Sequence, residues 1–246
     1  VGVAKGRLVT ELRFAARELG VRSPGDAGAG LGVLLVPGFG CGDWTLALTR
    51  KWLRRRGYRP ARAHIGLNVG CTTEMVDRVE QRAEQHARAT GGPIVLLGQS
   101  RGGWLARLLA SRRPDLVRAL VTAGSPVLDP LSANPRVIRH ARMLTKLSAM
   151  GLPGLLDDEC FSGDCYEENV RALASPLPRG MPALAVYSRA DRVAPWKSCL
   201  DPSAECVEIA SSHFDMALTP AFYAVLEPRL AAWSAVHESV HHNSSR

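Results

Sequence analysis

An apolar run, Ile94-Val95-Leu96-Leu97, leads straight into Gly98-Gln99-Ser100-Arg101-Gly102-Gly103 and then into a stretch rich in Ala, Leu and Arg. Few local patterns narrow the possible folds as much. The spacing predicts a buried strand, a very tight turn and a helix, with Ser100 at the apex of the turn and clear of the sheet. Such a turn presses the strand end against the first helical turn, so the residues flanking the serine must be tiny. Gly98 and Gly102 meet that need, and Gly103 lets the helix close on the strand. Ser100 is therefore a candidate nucleophile.

The rest of the 246-residue chain fits one large α/β domain or two small ones, long enough to bury a core without metal or disulfide staples. No apolar run approaches the roughly eighteen residues that a membrane span requires. Val1 to Gly20 is amphipathic and charged throughout, which does not read as a secretory signal and points to a cytoplasmic setting. The net charge is +8, and all 31 basic residues except Lys5, Lys51, Lys146 and Lys197 are arginine. Outside Arg54-Arg55-Arg56 and Arg112-Arg113 they are scattered, and no nucleic-acid motif accompanies them. They read as solvated helix faces rather than as a surface for nucleic acid or anionic lipid. Cys160 and Cys165, and Cys199 and Cys206, each bracket a short loop that a bridge would close, and Cys41 and Cys71 both lie just past expected strands. No C-x-x-C or histidine pair lies near any of the six, which argues against a metal site.

Strands and helices alternate over most of the length. Expected strands are Gly32–Val36, Tyr58–Ile65, Ile94–Leu97, Ala119–Ala123, Ala183–Tyr187 and Cys206–Ala210, with helices over 43–56, 72–90, 102–113 and 220–236. This pattern predicts a mostly parallel central sheet with helices on both faces. The core spans 31–125 and 181–238. Residues 1–30 read as a helical arm, 126–180 as a helical cap insertion with a helix over 135–150, and 239–246 as a disordered tail. Ligands of such sheets gather at the carboxyl ends of the strands.

A serine hydroxyl needs a base, and the base needs an orienting carboxylate. His213 follows the last strand by a two-serine loop, which would hang its imidazole over the carboxyl edge; His64, at the end of another strand, is the next candidate. Asp191 ends the strand before it, in Tyr187-Ser188-Arg189-Ala190-Asp191, and completes the chain order Ser…Asp…His. Asp215 and Asp129 compete for that role. The glycine-rich loop Val36-Pro37-Gly38-Phe39-Gly40-Cys41-Gly42 can turn backbone amides inward, and Phe39 and Arg101 are the expected pair of oxyanion donors. The loop lacks G-x-G-x-x-G and G-x-x-x-x-G-K-[ST], so it does not read as a nucleotide site.

With these residues placed, the chain resembles the α/β-hydrolase superfamily in its lipase and esterase branch. The matching pieces are Val33 to Gly40, Gly98 to Gly103, Tyr187 to Asp191 and Ser211-Ser212-His213, in the expected order. The resemblance implies the α/β-hydrolase fold, with a sheet of eight strands or slightly fewer and a cap after the strand that follows the serine turn. It implies Ser100 as nucleophile, His213 as base and then acid, Asp191 as its partner, no cofactor and a small-molecule ester as substrate. Acyl transfer or thioester hydrolysis would use the same three residues, and a non-catalytic ligand-binding member of the fold is a further alternative. Two departures stand out. Many relatives carry His-Gly where this chain has Pro37-Gly38, and Arg101 replaces a smaller or apolar residue, placing its charge near the pocket or outward. Trp44 and Trp104 lie near the two loops. Val137, Ile138, Leu144, Leu147, Met150, Leu152, Leu155 and Leu156 are the apolar cap residues expected to form an acyl pocket.

Overall fold

The structure, a computed structural model, describes the backbone of residues 28–243 and the side chains as far as residue 235. The arm expected over 1–30 lies outside the described residues except for its last three. The central sheet contains β1 (Gly32–Val36), β2 (Arg59–Arg62), β3 (Ile94–Gln99), β4 (Val117–Ala123), β5 (Ala183–Tyr187) and β6 (Glu205–Glu208). The strand order is β2-β1-β3-β4-β5-β6 and every pair is parallel. Six strands are therefore present among the described residues, fewer than eight.

Burial on both faces explains the uninterrupted apolar runs, and the two-residue period sorts each run between two layers. Val33, Leu35, Val95 and Leu97 pack on one face against Trp52 of α1 (Ala47–Arg55) and Phe222, Leu226 and Leu230 of α7 (Pro220–Asn243). Leu34, Val36 and Leu96 pack on the other face. There they meet Met75 and Val79 of α2 (Thr72–Thr90), and Leu105 and Leu109 of α3 (Arg101–Arg112). The order in which strands are added reverses between β1 and β3, so the helices that follow these two strands pack on opposite faces of the sheet.

The departures from expectation fall at the edges. β2 is four residues long rather than eight and pairs only with β1, where Pro60 is tolerated because its missing N–H faces outward from an edge. β6, the opposite edge, ends at Glu208. α7 runs on to Asn243, past the expected end at Val236 and into the segment expected to be disordered.

Between β4 and β5 lie α4 (Pro135–Ala149), α5 (Glu159–Ser162) and α6 (Asp164–Ala174), in the segment expected as the cap. Asn134 starts α4 by accepting the Arg136 N–H at 3.0 Å, and Pro135 occupies the first turn, where it costs no hydrogen bond. A buried ion pair, Arg107 Nε to Asp201 Oδ2 at 2.6 Å, ties α3 to the segment before β6. The same guanidinium donates to the Ser175 carbonyl at 2.7 Å, just past α6. Arg112 and Arg113, the basic pair of the sequence, are taken up by Asp77, Glu80, Glu84 and Asp115. No described helix is long and apolar enough to cross a membrane.

Candidate active site

The turn after β3 is as tight as its sequence demands. Ser100 has φ 53° and ψ −126°, a conformation that L side chains rarely adopt. It is held there by two backbone bonds, Ser100 N–H to the Ala123 carbonyl at 2.8 Å and Gly103 N–H to the Ser100 carbonyl at 2.9 Å. A Cβ on Gly98 would sit 2.3 Å from the Gly102 carbonyl oxygen, and one on Gly102 would sit 2.3 Å from that of Val36. Both positions therefore admit only glycine.

Three side chains from distant stretches converge on this turn. His213 Nε2 lies 3.0 Å from Ser100 Oγ, and His213 Nδ1 lies 2.6 Å from Asp191 Oδ2. The Asp191 side chain, 1% exposed, is fixed through its other oxygen, which accepts the amides of Val193 at 2.7 Å and Ala194 at 2.9 Å. Its rivals lie elsewhere: Asp129 is exposed, Asp215 accepts the Ser212 hydroxyl at 2.6 Å, and His64 sits exposed beyond β2.

Two supporting residues carry no motif and were not singled out from the sequence. Gln99, the variable residue before the serine, donates from Nε2 to the His213 carbonyl at 2.9 Å. Ser188, buried at the end of β5, accepts the amides of Ala190 at 3.1 Å and Ser211 at 3.2 Å. One hydroxyl thus joins the loop that carries Asp191 to the loop that carries His213.

The loop after β1 lies over Ser100, and a Cβ on Gly38 would come 3.3 Å from that of Ser100. Arg101 is the first residue of α3, so its amide has no acceptor within the helix and is free to face a ligand. The Arg101 side chain neither enters solvent nor reaches the pocket as a bare charge. Only 4% exposed, it runs beneath the Phe39 loop. Nη1 donates to the Asn68 carbonyl at 3.0 Å and Asn68 Oδ1 at 2.9 Å. Nη2 donates to the Gly70 carbonyl at 2.7 Å and Thr72 Oγ1 at 3.2 Å. Asn68, fully buried, passes the constraint on, because its Nδ2 donates to the Pro37 carbonyl at 2.9 Å while Gly40 N–H reaches the Asn68 carbonyl at 3.2 Å. Burial lowers the Arg101 pKa to about 10, which leaves it charged at neutral pH. No motif flagged Asn68; the unexplained arginine after the serine was its one sequence signal.

Ser100 stands where two hollows meet. A narrow one of about 60 Å³ lies under the cap, lined by Trp104, Val137, Ile138, Ala141, Leu156 and Phe161 among others. A wider one of about 460 Å³ lies on the His213 side, lined by Trp44, Thr45, Phe214 and Leu218. Phe39 borders both, and Arg101 borders the narrow one. Leu144 and Leu147, expected in the acyl pocket, line neither. They are half-buried on later turns of α4, beyond Ala141, the last residue of that helix to line the narrow hollow. Met150 and Leu152 are exposed.

The sequence leaves the pairing of the six cysteines open. All six are free thiols, and Cys71 meets Cys160 and Cys165 rather than Cys41. The spacing rule that spoke against a metal site looks only along the chain, whereas this cluster is assembled across it.

Residues 33–239 match the model of a family described as the alpha/beta hydrolase family. Comparison with curated proteins finds no match. Among solved structures, the mature Bacillus licheniformis lipase BlEst2 is similar, with a TM-score of 0.63 at 13% identity over 82% of this chain and 92% of that one. A Paleococcus ferrophilus monoacylglycerol lipase gives a TM-score of 0.54 at 15% identity, covering 84% and 94%. A soluble variant of Saccharomyces cerevisiae monoglyceride lipase gives 0.55 at 14% identity, covering 85% and 87%. At such identities the likeness speaks for the fold, and the family match spans most of the sequence: this chain belongs to the alpha/beta hydrolase family.

Proposed function

We propose that the protein hydrolyses carboxylic esters with small to medium acyl groups through an acyl-enzyme on Ser100. The observation that carries the reading is the continuous relay from Asp191 Oδ2 through the His213 ring to Ser100 Oγ, at 2.6 and 3.0 Å, beside an apolar hollow. In this mechanism His213 takes the hydroxyl proton as Ser100 attacks the ester carbonyl. The amides of Phe39 and Arg101 stabilise the oxyanion, and Asp191 holds the imidazole in the tautomer whose Nε2 accepts. His213 then protonates the departing alcohol, and water completes the cycle by the same route in reverse.

We read the two hollows as the places of the two halves of the ester. The narrow apolar hollow takes the acyl chain; about 60 Å³ is roughly the space of two water molecules, which restricts it to a short chain. The wider hollow lies on the His213 side, where the alcohol must collect its proton, and takes the leaving group. The lipases and monoglyceride lipases among the fold's relatives act on esters by name, which fits this reading.

A fluorophosphonate probe tests it. Labelling of the wild type that is lost in Ser100→Ala, with turnover of p-nitrophenyl butyrate, is the expected result. Labelling that persists in the alanine variant overturns the choice of nucleophile. Release of transferred ester instead of free acid, when alcohols are added, would make the protein an acyltransferase.

A further inference from the structure

Three thiols meet where the cap joins the core. Cys71 precedes the first turn of α2, Cys160 lies in α5 and Cys165 in the first turn of α6. The Cys71 and Cys165 sulfurs are 3.6 Å apart, those of Cys160 and Cys165 are 4.0 Å apart, and all three lie within 4.8 Å of one another. Cys160 is buried, whereas Cys71 and Cys165 are half-exposed. Hydrolysis at Ser100 uses none of them.

The surroundings favour one thiolate among the three. The neighbouring Cys160 thiol, with the amides of Glu74 and Thr73 in the first turn of α2, holds the Cys71 pKa well below the usual thiol range. Cys160 is pushed up by the same contact and by burial. On the inner side stands the Arg101 guanidinium, whose described hydrogen bonds all end on neutral oxygens. A buried cation needs a nearby anion, and these thiols are the groups that raise the Arg101 pKa against the effect of burial. An accessible thiolate in contact with a second half-exposed thiol is the arrangement from which disulfide exchange proceeds.

We propose that Cys71 and Cys165 are a thiol–disulfide site that reversibly straps the cap to the core, oxidised by a small disulfide of the glutathione class. The Cys71 thiolate attacks one sulfur of the small disulfide, forming a mixed disulfide and expelling one small thiolate. Cys165, giving up its proton, then attacks the Cys71 sulfur and expels the second small thiolate. Two protein thiols are oxidised to one disulfide, and one small disulfide is reduced to two thiols. The three sulfurs are also the one group with metal-ligand geometry among the described residues. No fourth side-chain ligand joins them, and a buried guanidinium beside them disfavours a dication.

The strap closes a loop of 94 residues, so it removes much of the freedom of the unfolded chain. The test equilibrates the full chain in reduced and oxidised glutathione, traps free thiols with N-ethylmaleimide and maps peptides without reduction. A Cys71–Cys165 linked peptide is expected in the oxidised sample, with a melting midpoint about 10 °C above that of the reduced protein. Cys71→Ser and Cys165→Ser lose both effects, and Cys160→Ser keeps both. If a serine variant fails to fold, the wild-type map alone decides. Three results would overturn the proposal: Cys71 fully alkylated even in excess oxidised glutathione, a link confined to Cys160 and Cys165, or one zinc per chain with all three thiols protected. None of these depends on whether the protein hydrolyses esters, which the fluorophosphonate probe decides separately.

Discussion

Replacing Arg101 by methionine keeps much of the side chain's length and apolar stem and deletes its guanidinium. Four hydrogen bonds disappear, those to the Asn68 carbonyl, Asn68 Oδ1, the Gly70 carbonyl and Thr72 Oγ1. Orphaned buried acceptors cost about 1–3 kcal/mol each in isolation. Relief from burying the guanidinium offsets part of that, so a net loss of about 3–5 kcal/mol is expected, in line with breaking other buried charge contacts. For a chain of this size the melting midpoint should fall by roughly 10 °C.

The larger effect is on catalysis. Asn68, no longer clamped, loosens its hold on the Pro37 carbonyl, and the amide of Phe39 two residues later loses its fixed direction. A displacement of about 1 Å at such a donor can cost roughly 100-fold, which matches the loss of one oxyanion donor, about 100- to 1,000-fold in kcat. Steady-state kinetics with p-nitrophenyl butyrate, run well below the variant's melting midpoint, should show kcat down by about 100-fold with KM nearly unchanged. Asn68→Ala should fall by a similar factor, and the double variant little further, because both act through one path. A kcat within about threefold of the wild type, in a variant that has lost stability, would show that the guanidinium props the fold and does not position the oxyanion loop.

Asp191→Asn retains an oxygen for the Val193 and Ala194 amides but turns an NH₂ towards His213 Nδ1, so kcat should drop about 10⁴-fold, with the melting midpoint near that of the wild type by circular dichroism. Leu156→Ala enlarges the narrow hollow by about three carbons, and a p-nitrophenyl ester series should show the optimum acyl length rise by about that much. Asp201→Ala leaves the Arg107 guanidinium buried without its carboxylate; urea titration should show a loss of about 3–5 kcal/mol, with kcat little changed because the pair lies away from Ser100.

How much of this could be read from the amino acids follows from the range over which each constraint acts. Gly98, Ser100 and Gly102 were legible because the clash that demands them is local: a strand, a turn and a helix five residues apart leave no room for a Cβ. The parallel sheet was legible for a related reason, since strands buried on both faces must be continuously apolar. His213 and Asp191 were legible at one remove, because chain order and strand ends limit which loops can reach Ser100. Gln99, Asn68 and Ser188 were not legible, although they hold those loops in place. Each donates or accepts across 23 or more residues and does so with an ordinary polar side chain whose spacing carries no signal. Leu144 and Leu147 went astray for the opposite reason. Their helical period was read correctly, but the period fixes which face of α4 is apolar and not how far along its axis the pocket extends. The cysteines combine both failures, because the spacing of Cys160 and Cys165 suggested a local bridge and gave no hint that Cys71, 94 residues from Cys165, would be the nearer sulfur. Only the fold brings Cys71 to within 3.6 Å of Cys165, because that contact depends on how the segment before β5 packs on the start of α2.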